Sequence, residues 1–130
     1  MLLFSLLTLI APFPLLVVEK FFPYPYLFEE LFKFFVVKNL SPKNNYYNPL
    51  ILGIIFSLSE SALYLVNFFA IGNFSNLPVR LISTTLLHSF TFLLLYTFRD
   101  KKYLSLLSLI AVVAIHYFYN YFIFIFTSTQ

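Results

Sequence analysis

Residues 103–126 read YLSLLSLIAVVAIHYFYNYFIFIF and contain no Asp, Glu, Lys or Arg. An α-helix rises about 1.5 Å per residue, so a helix of this length spans about 36 Å and exceeds the roughly 30 Å hydrocarbon core of a bilayer. An apolar run of this length is typical of a transmembrane helix. The stretch therefore predicts an all-α membrane protein.

The composition of the whole chain agrees with this prediction. Of its 130 residues 61% are hydrophobic and only 10% are charged, whereas a soluble domain carries about 25% charged residues. The chain has no Cys, which excludes disulfides, thiol nucleophiles and cysteine metal sites. Its net charge of +3 forms no basic run, so we expect no nucleic-acid partner.

Four further stretches approach the length of a membrane crossing, and no repeat or linker divides the chain. The first is interrupted by Pro12 and Pro14, so it is kinked or short. Because it lacks a basic start and a small-residue cleavage site, we do not expect a cleaved signal peptide. We predict one integral-membrane domain, residues 1–130, with about five helices spanning residues 2–18, 24–38, 49–71, 78–98 and 103–126.

The basic residues between these stretches predict the orientation. Cytoplasmic loops of membrane proteins carry an excess of Lys and Arg. The side with more basic residues is therefore expected to be cytoplasmic, which places the N-terminus inside an integral cell-membrane protein. The side with more basic residues carries Lys38, Lys43, Arg99, Lys101 and Lys102. The opposite side carries Lys20 and Arg80.

Ionisable residues lie near the middle of four of the predicted helices. A charged side chain at a helix centre costs about 2.5–3.5 kcal/mol on insertion scales, so such groups are expected to face each other or water. Helical spacing places them on one polar stripe per helix, which predicts a polar cavity near the bilayer midplane. The stripes are Glu29 or Glu30 with Lys33; Glu60, Tyr64 and Asn67; Arg80, Thr84, His88 and Thr91; and His116 with Asn120.

Each of these groups also has a purely structural interpretation. A Glu and Lys33 can form an ordinary pair within one helix. A protonated Glu60, or a His, can hydrogen-bond to a neighbouring helix, and Arg80 near a helix end can extend to the membrane interface. The common depth of the ionisable groups favours a functional interpretation, because independent structural roles require no shared level.

Four short motifs occur in one order along the predicted helices. They are Glu29-Glu30-Leu31-Phe32-Lys33; Glu60 with Tyr64; Arg80 followed by His88 and Thr91; and His116-Tyr117-Phe118-Tyr119-Asn120. This ordered set resembles the PrsW family of intramembrane proteases, which belongs with the CAAX-protease and bacteriocin-processing (CPBP) membrane enzymes. Ser61 stands where that family usually has Asn after the Glu.

The resemblance implies an intramembrane endopeptidase that hydrolyses a membrane-anchored protein, with regulatory cleavage of an anti-sigma factor as the known type of role. It implies that one of Glu29 and Glu30 is the general base that activates water. The other implied catalytic residues are Glu60, His88, His116 and Asn120, with Lys33, Tyr64 and Arg80 in support.

Two versions of the chemistry stay open, together with two other functions. The enzyme needs no cofactor if Glu alone activates water, whereas His88, His116 and a Glu also form a plausible three-ligand zinc set. The sequence lacks His-Glu-x-x-His, which favours the metal-free version. The alternatives to a protease are a proton-coupled or cation transporter and a catalytically inactive membrane scaffold.

Overall fold

A computed structural model of the chain describes residues 1–41, 45–71 and 77–128. The description leaves out Lys43 and the side chains of residues 19, 67, 68, 70, 71 and 126–128. The predictions made above for Lys43 and for the Asn67 side chain therefore lie outside the described residues. The described part is an all-α bundle without strands, as predicted. Its helical segments are α1 (Leu2–Ile10), α2 (Pro12–Glu19), α3 (Pro25–Asn39), α4 (Tyr47–Ile71), α5 (Leu77–Phe98) and α6 (Lys102–Ser128).

Prolines explain where the first three segments begin. α1 and α2 together occupy the first predicted stretch and meet at Ala11, whose backbone is itself helical. Pro12 and Pro14 have no N–H to donate to the preceding turn, so the helix is divided at this point. α3 begins at Pro25, a first helical position where the missing N–H costs no hydrogen bond.

Within the described residues, three helices are long and apolar enough to cross a membrane. They contain the candidate spans Tyr47–Val66, Leu77–Phe98 and Lys102–Ile125. The helical stretch Leu2–Val18 is apolar but shorter, and α3 has 15 residues, which corresponds to about 22 Å. The three long helices indicate a membrane protein.

The distribution of polar side chains in α5 agrees with a lipid environment. On one face of this helix Ile82 is 65% exposed and Leu86 is 66% exposed, and Phe90 continues the same face. On the opposite face Thr84 and His88 are buried. A helix in water presents the reverse arrangement, so the exposed apolar face of α5 is suited to lipid.

α5 packs against α3, α4 and α6, and α3 also packs against α6. α1 packs on α4, and α2 packs on both α3 and α4. The backbones of α4 and α5 lie close together at Gly53 of α4. A Cβ atom there would lie 2.4 Å from the Cα atom of Ser89 in α5. Glycine is therefore required by the contact between the two backbones.

The C-terminal ends of α3 and α5 cap each other. Arg99 is buried and its Nη1 donates to the carbonyl oxygens of Leu40 and Ser41, at 3.2 and 3.4 Å. Lys38 Nζ donates to the carbonyl oxygen of Arg99 in return. Because the last carbonyls of a helix have no partner within it, these reciprocal bonds hold the two helix ends together.

We expect Gly53→Ala to destabilise the folded protein. The added methyl group meets backbone atoms that cannot rotate away, and overpacking of this kind costs about 1–3 kcal/mol, which outweighs the roughly 1 kcal/mol that Ala gains over Gly in a helix. Thermal unfolding in detergent would measure the change. Ala62→Val, on an exposed position of the same helix, is the control, and equal midpoints for both variants would contradict the close contact.

Candidate active site

Lys33 is the central cation of the site, and its side chain is completely buried. Its Nζ donates to Glu30 Oε1 at 2.7 Å, to His88 Nδ1 at 2.7 Å and to Thr91 Oγ1 at 3.1 Å. An ammonium group has three N–H donors, and these contacts use all of them. Lys33 thus connects α3 to α5, and pairs with the Glu three residues before it.

Two aromatic rings complete the surroundings of this ammonium group. Nζ lies 5.1 Å from the ring centroid of Phe56 in α4 and 5.8 Å from that of Phe92 in α5. Such contacts stabilise a cation through the negative face of the ring. The stabilisation is larger where water is excluded. The charge of Lys33 is therefore stabilised by groups from three helices.

His88 lies between Lys33 and Glu60. Because an ammonium group can only donate, His88 Nδ1 is the acceptor of the bond from Lys33. The ring proton is then on Nε2, which donates to Glu60 Oε2. The neutral Nε2–H tautomer of His88 follows from its two partners.

Glu60 is held from its other side by Tyr64. The Tyr64 hydroxyl, four residues further along α4, donates to Glu60 Oε1 at 2.7 Å. The guanidinium carbon of Arg80 lies 3.7 Å from the centroid of the Tyr64 ring. Arg80 therefore adds a second positive charge at this end of the cluster.

His116 brings α6 to the same cluster. Its Nδ1 donates to Glu30 Oε1 at 2.7 Å, and its Nε2 lies 3.8 Å from Glu29 Oε2. The rings of His88 and His116 are 5.4 Å apart between centroids and nearly perpendicular. The two imidazoles therefore approach each other edge to face, and His116 binds the same carboxylate oxygen that Lys33 binds.

A small cavity opens beside these groups. It has a volume of about 30 Å³, and a water molecule needs about 10–15 Å³ measured in this way. Glu29 and Glu60 both line it, and α2 contributes an apolar wall. The complete lining is Pro12, Leu15, Leu16, Glu29, Phe56, Glu60, Leu63 and Tyr64.

The structure brings most of the predicted site residues together. Glu29, Glu30, Lys33, His88 and His116 are buried in one cluster, as described above. Glu60 and Tyr64 continue it, and Arg80 is half-buried against Tyr64. Arg80 is thus folded against the cluster and does not stand free of the bundle.

Asn120 is the exception. Its side chain is exposed, so the expectation that its amide joins the cluster is wrong. Four residues along a helix give about 400° of rotation and about 6 Å of rise, which carries Asn120 one turn beyond His116. The two residues share a stripe, but only His116 reaches the buried groups.

Sequence reasoning missed the aromatic residues that support the site. The Phe56 ring lies 4.8 Å from the His88 ring between centroids. Phe56 precedes Glu60 by one helical turn, and this spacing could have placed it beside the site. The Tyr119 hydroxyl lies 2.9 Å from the hydroxyls of Ser83 and Thr84 and fixes α6 against α5. Among 10 Tyr and 19 Phe residues, no sequence pattern distinguished Tyr119.

The cluster also contains a possible metal-ligand set. Glu29, His88 and His116 each offer one ligand atom, and these three atoms lie within 4.8 Å of one another. A zinc ligand must offer a free lone pair. The single lone pair of neutral His88 is occupied by the ammonium of Lys33, so His88 in this arrangement has none to give to a cation.

Comparisons of the chain with protein-family models, with curated protein sequences and with solved structures give no match. The fold and the site define a small helical membrane protein that holds a network of carboxylates, imidazoles and one lysine beside a water-sized cavity. A helical bundle supports many activities, so function must be argued from the chemistry of this network.

We expect Lys33→Met to destabilise the protein by about 3–5 kcal/mol, because it leaves the buried Glu30 carboxylate without its cation. Replacing that carboxylate as well, in the double variant Lys33→Met with Glu30→Gln, should restore part of the loss. Denaturation in detergent of both single variants and the double variant would measure the coupling. Strictly additive effects would show that the ion pair carries no interaction energy.

Proposed function

We propose that this chain is an intramembrane endopeptidase that cleaves a membrane-anchored protein with a water molecule activated by glutamate. The observation that carries the proposal is the cavity of about 30 Å³ lined by both Glu29 and Glu60. Hydrolysis of a peptide by water requires a base, donors for the developing oxyanion and an acid for the leaving amine. Carboxylates on a water-sized cavity between apolar helices are suited to this chemistry.

The surroundings of the two adjacent glutamates favour Glu29 as the base. Glu30 is completely buried, and its Oε1 accepts from both Lys33 and His116. Glu29 instead lines the cavity. Successive side chains point about 100° apart on a helix, so one carboxylate can hold the network while the other meets water.

His116 supports this assignment. Its bond to Glu30 fixes the ring and leaves Nε2 directed toward Glu29, at 3.8 Å. An Nε2 atom in this place can accept a proton from the base, or, when protonated, donate to an oxyanion. His116 is therefore the group best placed to exchange a proton with Glu29.

The apolar surroundings of the cavity support a substrate that lies in the membrane. A peptide that enters between helices must come from the membrane and must leave its helical hydrogen bonding where it is cut. We propose a membrane-anchored protein, with an anti-sigma factor as the type implied by the PrsW resemblance. In the same proposal the chain resides in the cell membrane with its N-terminus in the cytoplasm, as the basic loops predict.

A zinc-dependent version is the second candidate, and the proximity of Glu29, His88 and His116 supports it. It requires Lys33 to withdraw from His88, because the bond between them occupies the lone pair that zinc would need. The metal-free version needs no such rearrangement, so we place it first.

The network gives less support to a transporter. A pathway for ions across the membrane needs two ends on opposite sides. The two ends of the carboxylate and imidazole network, Glu29 and Glu60, lie at one cavity. A non-catalytic scaffold stays an alternative, and the cleavage experiment below distinguishes it.

We expect Glu29→Gln to lower cleavage of a co-reconstituted single-span reporter by about 10²–10⁴-fold, the usual contribution of a general base. Purified protein and reporter in liposomes, with products resolved on gels, provide the measurement. Asp100→Asn removes a carboxylate that is 82% exposed and outside the cluster, and it should cleave as the wild type does. Undiminished cleavage by Glu29→Gln, or no cleavage by the wild type, would contradict the proposal.

The metal-free mechanism predicts that a chelator leaves this activity unchanged. The reporter assay would be repeated after dialysis against a chelator, and again after addition of zinc. Loss of cleavage that zinc restores would favour the second candidate. Metal content of the purified protein, measured by mass spectrometry, provides an independent check.

A further inference from the structure

A second cavity lies between α5 and α6 and shares no lining residue with the candidate active site. Its volume is about 190 Å³, whereas one water molecule needs about 10–15 Å³ measured in the same way. We call it the α5–α6 groove. It is lined by Leu94 and Phe98 of α5 and by Leu104, Leu107, Ser108 and Ala111 of α6.

The wall of the α5–α6 groove is apolar. Ser108 is the one lining residue with a polar side chain, and its hydroxyl donates to the carbonyl oxygen of Ser105 at 2.8 Å. A polar ligand in the groove would therefore give up its hydrogen bonds to water without gaining a side-chain partner, which is costly. The part of a ligand that lies in the groove must be apolar.

The groove starts near one end of the membrane spans and extends inward. The span of α5 ends at Phe98 and that of α6 begins at Lys102. Leu104 and Ala111 lie two and nine residues further along α6, which corresponds to about 3 and 14 Å along the helix. Because half of a bilayer core is about 15 Å thick, the groove reaches from the membrane interface almost to the midplane.

The turn that joins the two helices is positively charged. Residues 99–102 contain three basic residues and one acidic residue. The acidic residue, Asp100, accepts from Arg99 Nε at 3.1 Å, so it pairs with the buried arginine. Lys101 and Lys102 are exposed, and neither forms an ion pair with any residue that the structure describes. Two positive charges are therefore open to a partner from outside the chain.

Backbone hydrogen bonds place these lysines at the outer end of the groove. The amide nitrogen of Lys101 donates to the carbonyl oxygen of Phe98 at 3.1 Å, and the carbonyl oxygen of Lys101 accepts from the amide nitrogen of Ser105 at 2.7 Å. Lys101 is thus within one helical turn of a lining residue on each side, Phe98 in α5 and Leu104 in α6. Charge and apolar surface meet at this point.

We propose that the α5–α6 groove binds an acyl chain of an anionic phospholipid, with the phosphate of that lipid against Lys101 and Lys102. A phospholipid carries its charge at the interface and its apolar chain below it, which is the order found here. Basic residues next to membrane helices attract anionic headgroups. This lipid site goes beyond the proposed protease function and does not depend on it.

A second copy of this chain fits the groove less well than a lipid does. The partner must bring negative charge to the two lysines, and the chain has only five acidic residues. Three of these, Glu29, Glu30 and Glu60, belong to the candidate active site. The acidic groups of this chain are therefore poorly placed to meet Lys101 and Lys102, whereas every anionic phospholipid carries a phosphate.

The charge of the headgroup provides the first test. Purified protein in neutral detergent would be titrated with phosphatidylglycerol or with phosphatidylcholine of the same acyl chains, and bound lipid counted by native mass spectrometry. Each lysine near an anionic surface contributes about fivefold in affinity, so we expect wild type to prefer phosphatidylglycerol by about 30-fold. The double variant Lys101→Gln with Lys102→Gln should lose this preference.

Lys20→Gln is the matched control, because Lys20 is also exposed and lies outside the turn. Its preference for phosphatidylglycerol should equal that of wild type. Equal affinity of wild type for the two lipids would overturn the proposal. A preference that survives in the double variant would overturn it as well, because the negative headgroup would then lie elsewhere.

A photoreactive side chain in the groove identifies its occupant. Leu107 lines the groove and is 58% exposed, so we would replace it by p-benzoylphenylalanine and irradiate the protein in phosphatidylcholine liposomes that contain a minority of phosphatidylglycerol and the single-span reporter. We expect adducts with lipid, enriched in phosphatidylglycerol over its share of the bilayer. Ile110 is 59% exposed and does not line the groove, so the same probe there should give adducts in proportion to the bulk lipid.

The other outcomes at position 107 overturn the lipid site. A cross-linked dimer without lipid adducts would assign the groove to a second copy, and an adduct with the reporter in place of lipid would assign it to substrate. Lipid adducts without enrichment would show an unspecific contact with the bilayer. Because neither experiment measures cleavage, the lipid site and the proposed function succeed or fail separately.

Discussion

The rest of the structure depends on the burial of the Lys33 charge. An ammonium group inside a bundle of apolar helices is stable only when each of its donors has a partner. Glu30, His88 and Thr91 provide those partners, and Phe56 and Phe92 add ring contacts. Because these groups come from α3, α4 and α5, satisfying one cation determines how three helices face one another.

This requirement gives different tasks to two adjacent glutamates. Glu30 is held by Lys33 and by His116 of α6, so the same carboxylate that neutralises the lysine also connects the last helix. Glu29 is thereby left beside the cavity, which the apolar wall of α2 borders. The division of the first helical stretch at Ala11 contributes here, because Pro12 and the residues that follow it form that wall.

Much of the candidate site could be predicted from depth and helical spacing. Ionisable residues at the centres of apolar helices are costly, and their coincidence predicted a shared interior that includes Glu60, His88 and His116. The partners within it could not be predicted, since a helical wheel places residues on a face but does not say which atom of a neighbouring helix lies opposite. Asn120 shows the limit, because a shared stripe did not bring it to the cluster.

The amino-acid sequence alone determined the helical class, the positions of the helices to within two residues and the lipid-facing character of the chain. These properties follow from local apolar length and from proline, which act through the backbone of each segment. Only the tertiary structure decided which glutamate meets the cavity, which nitrogen of each histidine carries the proton and where Gly53 is required. Those properties depend on contacts between helices, and such contacts are set by the relative rotation and approach of whole segments.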